Sequence, residues 1–369
     1  MGITIAVFFS ISLPSSALTI KFNDVTVGGA INRQALQGFN EAASIWSSLF
    51  TDPTTIRIDI AYQPILGSPL IPGSTLGYAT SATVSTSVSQ VLHGLRNDAL
   101  SSFDQRAIAH LPATNVSRAP STAGREALIY LTTEPSPSVP NTSRVLDNDG
   151  SNNNSVLNAY RANLKGLNLL IDDGETPDGS ITFNSDVAFD FDRSDGISAD
   201  SFDFVGVALH EIGHILGFTS GVADVDGFSE ILLDDYRIFS VLDLFRYSEE
   251  SLREGPGILD LAAGGTPYFS IDGGVTNSGL FSTGPTNGDG QQPGHWKDFL
   301  GLGLWDPSLS KGELGKISSL DLLAFDVIGW DRAAVAFEPS VLMLFASGML
   351  GMFWIRRFKP KSAQVRVDL

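Results

Sequence analysis

Val207-Ala208-Leu209-His210-Glu211-Ile212-Gly213-His214-Ile215-Leu216-Gly217-Phe218 is the stretch from which the rest of the chain is read. Asp203 to Leu216 is long and apolar enough for a buried helix, with Ser201 or Asp203 available as its N-cap. Residues four apart project from one helical face. The imidazoles of His210 and His214 can therefore meet one Zn²⁺ at about 2.0–2.1 Å. Glu211 lies one step round the helix, next to the same metal. There its carboxylate can take a proton from a zinc-bound water, whose pKa the metal lowers toward about 7, and pass it to a leaving amine. Two histidines and a glutamate left unpaired in a buried helix would cost several kcal/mol, which weighs against a chance HExxH.

Catalytic zinc takes three protein ligands and keeps a fourth position open. The chain has five histidines, and one lies downstream of the helix, His295 in Gln292-Pro293-Gly294-His295-Trp296-Lys297. His93 and His110 fall in predicted helices well upstream. Carboxylates compete for the role: Glu230 and Asp234 form an ExxxD pair sixteen residues beyond His214, and Asp224 and Asp226 are nearer. With no cysteine in the chain, thiolate ligands, disulfides and a Cys nucleophile are excluded.

The helix motif with Gly217 resembles the metzincin signature HExxHxxGxxH, but Ser220 stands where the compact signature has its third His. HExxHxxGF followed by a long insertion and a His-Trp pair is similar to the leishmanolysin-like metzincins. The ExxxD pair is instead similar to the second helix of gluzincins. A closer resemblance is to a bacterial family of PEP-CTERM-associated zinc metalloproteases. It is carried by Phe183-Asn184-Ser185, the helix motif through Gly221, Leu242-Asp243-Leu244-Phe245-Arg246-Tyr247, His295-Trp296-Lys297-Asp298, and Leu320-Asp321-Leu322 to Gly329-Trp330, and covers most of residues 18–333.

That resemblance implies a two-lobed α/β (α+β), metzincin-like fold, with an upper lobe of about residues 18–217 and a lower lobe of about 218–333. His295 is then the third zinc ligand and Glu211 the general base of a zinc metalloendopeptidase acting on polypeptide. Metzincins also carry a methionine turn beneath the metal. Here the methionines are Met1, Met343, Met349 and Met352, all terminal, and Leu304-Trp305-Asp306-Pro307 occupies the place of the turn. Trp305 is either the floor of the site or an ordinary core tryptophan. The reading from another class is a catalytically silent extracellular surface or matrix protein that retains the fold.

A hydrophobic fraction of 43% against 17% charged residues leaves ample material for a core and no case for global disorder. The net charge of -18 argues against nucleic acid as a partner, since phosphate binding needs clustered Lys and Arg. The acidity is mostly Asp in loops. Asp190, Asp192 and Asp195 in one, and Asp147, Asn148 and Asp149 in another, make Ca²⁺ a candidate second cation, with ordinary Asx-turns as the competing reading. Gly288-Asp289-Gly290 reads as a flexible turn, and no nucleotide-binding glycine motif appears in a supporting context.

Residues 1–17 read as a short signal peptide, an apolar run from Ile3 to Leu13 followed by Pro14-Ser15-Ser16-Ala17, or else as an N-terminal core strand. No basic residue precedes Lys21. Val341 to Ile355 is uncharged and is followed by Arg356, Arg357, Lys359 and Lys361, a membrane-spanning pattern with its basic flank on the cytoplasmic side, or else a buried helix. Glu338-Pro339-Ser340 before it gives residues 337–361 a resemblance to the PEP-CTERM sorting tail, with Phe337 in place of the usual proline. The resemblance implies an exosortase-type partner, transient association with the inner membrane, and a protein secreted from, or held on the surface of, a Gram-negative bacterium.

Between the ends, apolar spacing predicts helices over Ile31 to Phe50, Val84 to Leu95, Ala99 to Leu111, Val156 to Leu167 and Ile317 to Ile328. Strands are expected over Thr55 to Tyr62, Ala127 to Thr132, Leu169 to Ile171 and Ile181 to Phe183. Downstream of Gly217 the chain reads as irregular until that last helix.

Overall fold

Ile56, Ile58 and Ile60 alternate with Thr55, Arg57 and Asp59 along the strand Thr55–Gln63, and the isoleucines are buried while those three polar residues are half-exposed. That two-residue period places the strand inside a four-stranded sheet whose order is Thr19–Asp24, Thr55–Gln63, Gly179–Asn184, Gly77–Ser81. The first three strands run parallel, and Gly77–Ser81 closes the edge antiparallel to Gly179–Asn184. The computed structural model describes residues 17–67, 74–133, 144–227 and 233–333. The expected signal peptide up to Ser16, Glu230 and the 337–361 tail lie outside the described residues. Contacts separate Met1–Arg332 from Ala333–Leu369, and of the second unit only Ala333 is described.

Two helices cover the sheet. Arg33–Leu49 is capped by Asn32, whose side chain accepts from Gln34 N and Ala35 N, and it buries Ala35, Phe39, Ala42, Ala43 and Trp46 on one face. The site helix Phe204–Leu216 packs against it and against the edge strand. Phe39, Phe183 and Phe204 meet between helices and sheet with ring centroids 4.6–5.2 Å apart. Gly38 permits this, since a Cβ there would overlap the Phe204 ring.

A second aromatic cluster joins the N-terminal half to the chain beyond Gly217. Trp46 lies 4.9 Å from Phe325 of the last helix, Ser319–Val327, and Trp305 lies 5.1 Å from Phe325 and 4.5 Å from Phe218. Trp46 Nε1 donates to Leu209 O and Trp330 Nε1 to Leu216 O, so two indoles grip the site helix through its carbonyls. Mixed helix and strand make this an α+β chain, with mostly two-residue strands and short helices between Gly217 and the last helix.

Several expectations are corrected. Val156–Tyr160 is a strand paired antiparallel with Thr83–Ser87, and helix follows only over Arg161–Gly166. Its apolar residues fit either period, and the partner strand decides between them. The same pairing delays the helix expected from Val84, which runs over Val88–Asp98 behind a Ser87/Gln90 capping box. Leu169–Ile171 forms no strand, and Ile171 is exposed. Ala127–Thr132 splits into Glu126–Leu128 and Tyr130–Thr133.

Candidate metal centre

Asp203 takes the N-cap position of the site helix, yet its side chain does not cap it. The carboxylate accepts instead from Gly315 N and pairs with Arg193, tying the helix start to the chain ahead of the last helix. Every residue from Phe204 to Leu216 is buried except His210 and His214, which keep one edge toward solvent. At the other end Gly217 adopts φ +116°, which a Cβ would strain, and its N–H closes back on Gly213 O and His214 O. This turn brings Phe218 O within 2.6 Å of His214 Nδ1.

His210, His214 and His295 come together with one ring nitrogen each, all within 4.8 Å of one another. His214 Nε2 is 3.0 Å from His210 Nε2, which is 3.1 Å from His295 Nε2. The opposite nitrogens face carbonyls: His210 Nδ1 meets Leu304 O at 2.9 Å, His214 Nδ1 meets Phe218 O, and His295 Nδ1 meets Gln292 O at 3.3 Å. A neutral imidazole carries one N–H. With each Nδ1 donating to a carbonyl, each Nε2 presents only a lone pair, so three lone pairs converge on one point and cannot satisfy one another.

Burial keeps the rings neutral. Desolvation pulls His210 down to about 4, His295 down to about 3 and His214 well below its ordinary value, with neighbouring imidazoles adding to the effect at His295 and His214. These residues fit a metal ion. A tetrahedral ion with bonds of about 2.0–2.1 Å spaces its nitrogens roughly 3.3–3.4 Å apart, close to the separations here, and carbonyls on the far nitrogens are how ligating histidines are oriented.

Trp305 is fully buried and stacks beneath His210, centroids 5.7 Å apart at 20°. Gly213 makes room for it, because a Cβ there would overlap its ring. The tryptophan is thus both a core residue and the floor under the histidines. Glu211 is buried, and the Ala79 N–H of the edge strand donates to its carboxylate. Burial pushes Glu211 up to about 8.

The rival carboxylates stand elsewhere. Asp226 is buried and accepts from Thr286 N and Asn287 N, each at 2.7 Å, so it holds a loop. Asp224, pushed up by burial, and exposed Asp234 are outside the histidine cluster. Ser220 donates to Asp243 at 2.5 Å. Asp190 accepts from Asp192 N and from the N and Oγ of Ser198, and Asp192 from the N and Oγ of Ser194, which makes that loop a set of Asx-turns. Asp147 is taken up by Asn153 and Asn154, and Asp149 by Ser151 N. Asp289, in the expected flexible turn, pairs with Lys297 beside the third histidine.

The groups that orient the three histidines were not legible in the sequence, because the carbonyls of Leu304, Phe218 and Gln292 carry no side-chain signal. Asp321 was visible only as part of a motif block. Its carboxylate accepts from Trp296 Nε1 at 2.7 Å and Leu304 N at 2.8 Å, joining the neighbour of His295 to the residue whose carbonyl orients His210. Among the described residues no helix is long and apolar enough to cross a membrane. Comparison of the chain with protein-family models, curated proteins and solved structures finds no match.

Proposed function

We propose that the chain is a zinc-dependent endopeptidase of metzincin-like fold, akin to the PEP-CTERM-associated metalloproteases, with His210, His214 and His295 as metal ligands and Glu211 as general base. The observation that carries this reading is the convergence of three Nε2 lone pairs, each fixed by a carbonyl on the opposite nitrogen, beside a buried carboxylate. Zn²⁺ bound there would supply a Lewis acid that polarises a carbonyl and acidifies water. A metal with a purely structural role has no use for Glu211, which weighs against a catalytically silent protein.

The chain's own residues would do the rest. A cation held by the three imidazoles would favour the ionised form of Glu211, and that carboxylate takes the proton of an attacking water and returns it to the leaving amine. Gly77–Ser81 is the outer strand of its sheet, and its Ala79 N–H already touches that carboxylate. An extended polypeptide adding to this edge would pass beside Glu211, which favours peptide over a compact small substrate. Export and processing of the 337–361 segment by an exosortase-type enzyme belong to the same reading.

The test is zinc content and chelator-sensitive cleavage of an unfolded protein such as casein. Glu211→Gln should keep the metal, since it removes no ligand, and lose nearly all turnover. Turnover retained in that variant would remove Glu211 from the mechanism.

A further inference from the structure

His295 reaches the other two histidines from a separate part of the chain, so something must set that part in register. Ser282 N donates to His295 O at 3.0 Å, Ser282 Oγ donates to Trp296 O at 2.8 Å, and Phe281 bridges to Trp296. The third histidine thus rides on the strip Phe281–Ser282. Arg246 holds both pieces: one guanidinium nitrogen donates to Ser282 O at 3.0 Å, and the other to Pro293 O at 3.3 Å, two residues before the histidine.

Arg246 is 1% exposed, and its guanidinium lies over the Phe281 ring at 4.9 Å. Both of its hydrogen bonds end on main-chain carbonyls, while Asp260 and Asp243 act on it only through space. Burying a charge without a contacting counter-ion costs several kcal/mol, and a well-packed apolar residue would avoid that cost. A planar fork that spans two carbonyls in fixed geometry is what neither an apolar residue nor a lysine provides.

The short helical turn Leu242–Phe245, directly before Arg246, grips the other half of the site. Asp243, three residues earlier, is buried and accepts from Ser220 Oγ, Gly221 N and Ser240 N, holding the chain just after the site helix leaves Gly217. Gly294 in turn packs on the backbone of Thr219 and Ser220.

We infer that the turn Leu242–Tyr247 is the register clamp of the metal centre, with Asp243 fixing the exit of the HExxH helix and Arg246 acting as the positioning residue that delivers His295 to it. The inference rests on the reading of His295 as a metal ligand. Its experiment compares Arg246→Met, Arg246→Lys and His295→Ala in the full chain by zinc competition against a chromogenic chelator, by the visible bands of the Co²⁺-substituted protein, and by urea unfolding with and without metal.

Arg246→Met should weaken zinc binding roughly 10–100-fold, the usual loss for a group that orients a ligand. Its Co²⁺ bands should move toward those of His295→Ala. Arg246→Lys, which keeps the charge and loses the fork, should fall between Met and wild type, and it serves alone if the Met variant does not fold. A loss of stability equal with and without metal, at unchanged zinc affinity and Co²⁺ bands, would make Arg246 an ordinary core residue and overturn the inference. If His295→Ala itself leaves affinity and bands unchanged, the ligand reading fails first and the clamp fails with it.

Discussion

His295 Nε2 lies 3.1 Å from His210 Nε2 across 85 residues of sequence. Both nitrogens are lone-pair acceptors, because Leu304 O and Gln292 O occupy the opposite sides of the rings. Such a pair is repulsive until a cation lies between them, so a metal ion bound there would return part of its binding energy as stability of the fold.

His295→Ala is expected to weaken zinc binding by more than the roughly 10–100-fold that loss of an outer group costs, and to abolish hydrolysis. Glu230→Ala should leave both within a small factor. Metal titration of the two purified variants decides. Zinc lost from the Glu230 variant and kept by the His295 variant would make the site gluzincin-like.

Gly213→Ala should destabilise the protein by about 1–3 kcal/mol, the usual cost of overpacking, because the new methyl meets the Trp305 ring that floors the site. Shrinking the ring with Trp305→Leu in the same molecule should recover part of the loss, so the two changes couple rather than add. Urea unfolding of both single variants and the double variant measures the coupling, and strict additivity would mean the ring does not receive the methyl.

Stability should fall between about pH 6.5 and pH 8. Burial and mutual repulsion push Asp52 up to about 8 and Asp98 and Asp326 up to about 7, far above the ordinary 3.8. In that window the folded state holds more protons than the unfolded state, so raising the pH strips protons from the folded form and favours unfolding. Below about 6.5 the histidines oppose the trend, because their lowered values let the unfolded state bind the extra protons. Glu211, raised to about 8, acts with the aspartates and is common to wild type and variant. Asp326→Asn should flatten the slope and leave the variant more stable than wild type at pH 8. Thermal unfolding at pH 6.5, 7.25 and 8 tests this, and parallel slopes would refute it.

His210, Glu211 and His214 were legible in sequence because an i,i+4 pair shares one helical face and nothing outside the helix is needed to place them. Ile56, Ile58 and Ile60 were legible as a strand for a similar reason, since the two-residue period is a local property. Val156–Tyr160 was not, because its apolar residues suit a helix until Thr83–Ser87 pairs with them. His295 was nameable as a candidate beside Glu230, Asp224 and Asp226, but its place depends on Ser282, Pro293 and Arg246, which come together only when the chain folds. The carbonyls that fix each imidazole's tautomer belong to the backbone that every residue shares. Sequence alone therefore determined which side chains can bind a metal and take a proton, because those are properties of residue type and helical spacing. Tertiary structure alone decided which distant histidine joins them and that its lone pair points inward, because orientation is set by hydrogen bonds between segments remote along the chain.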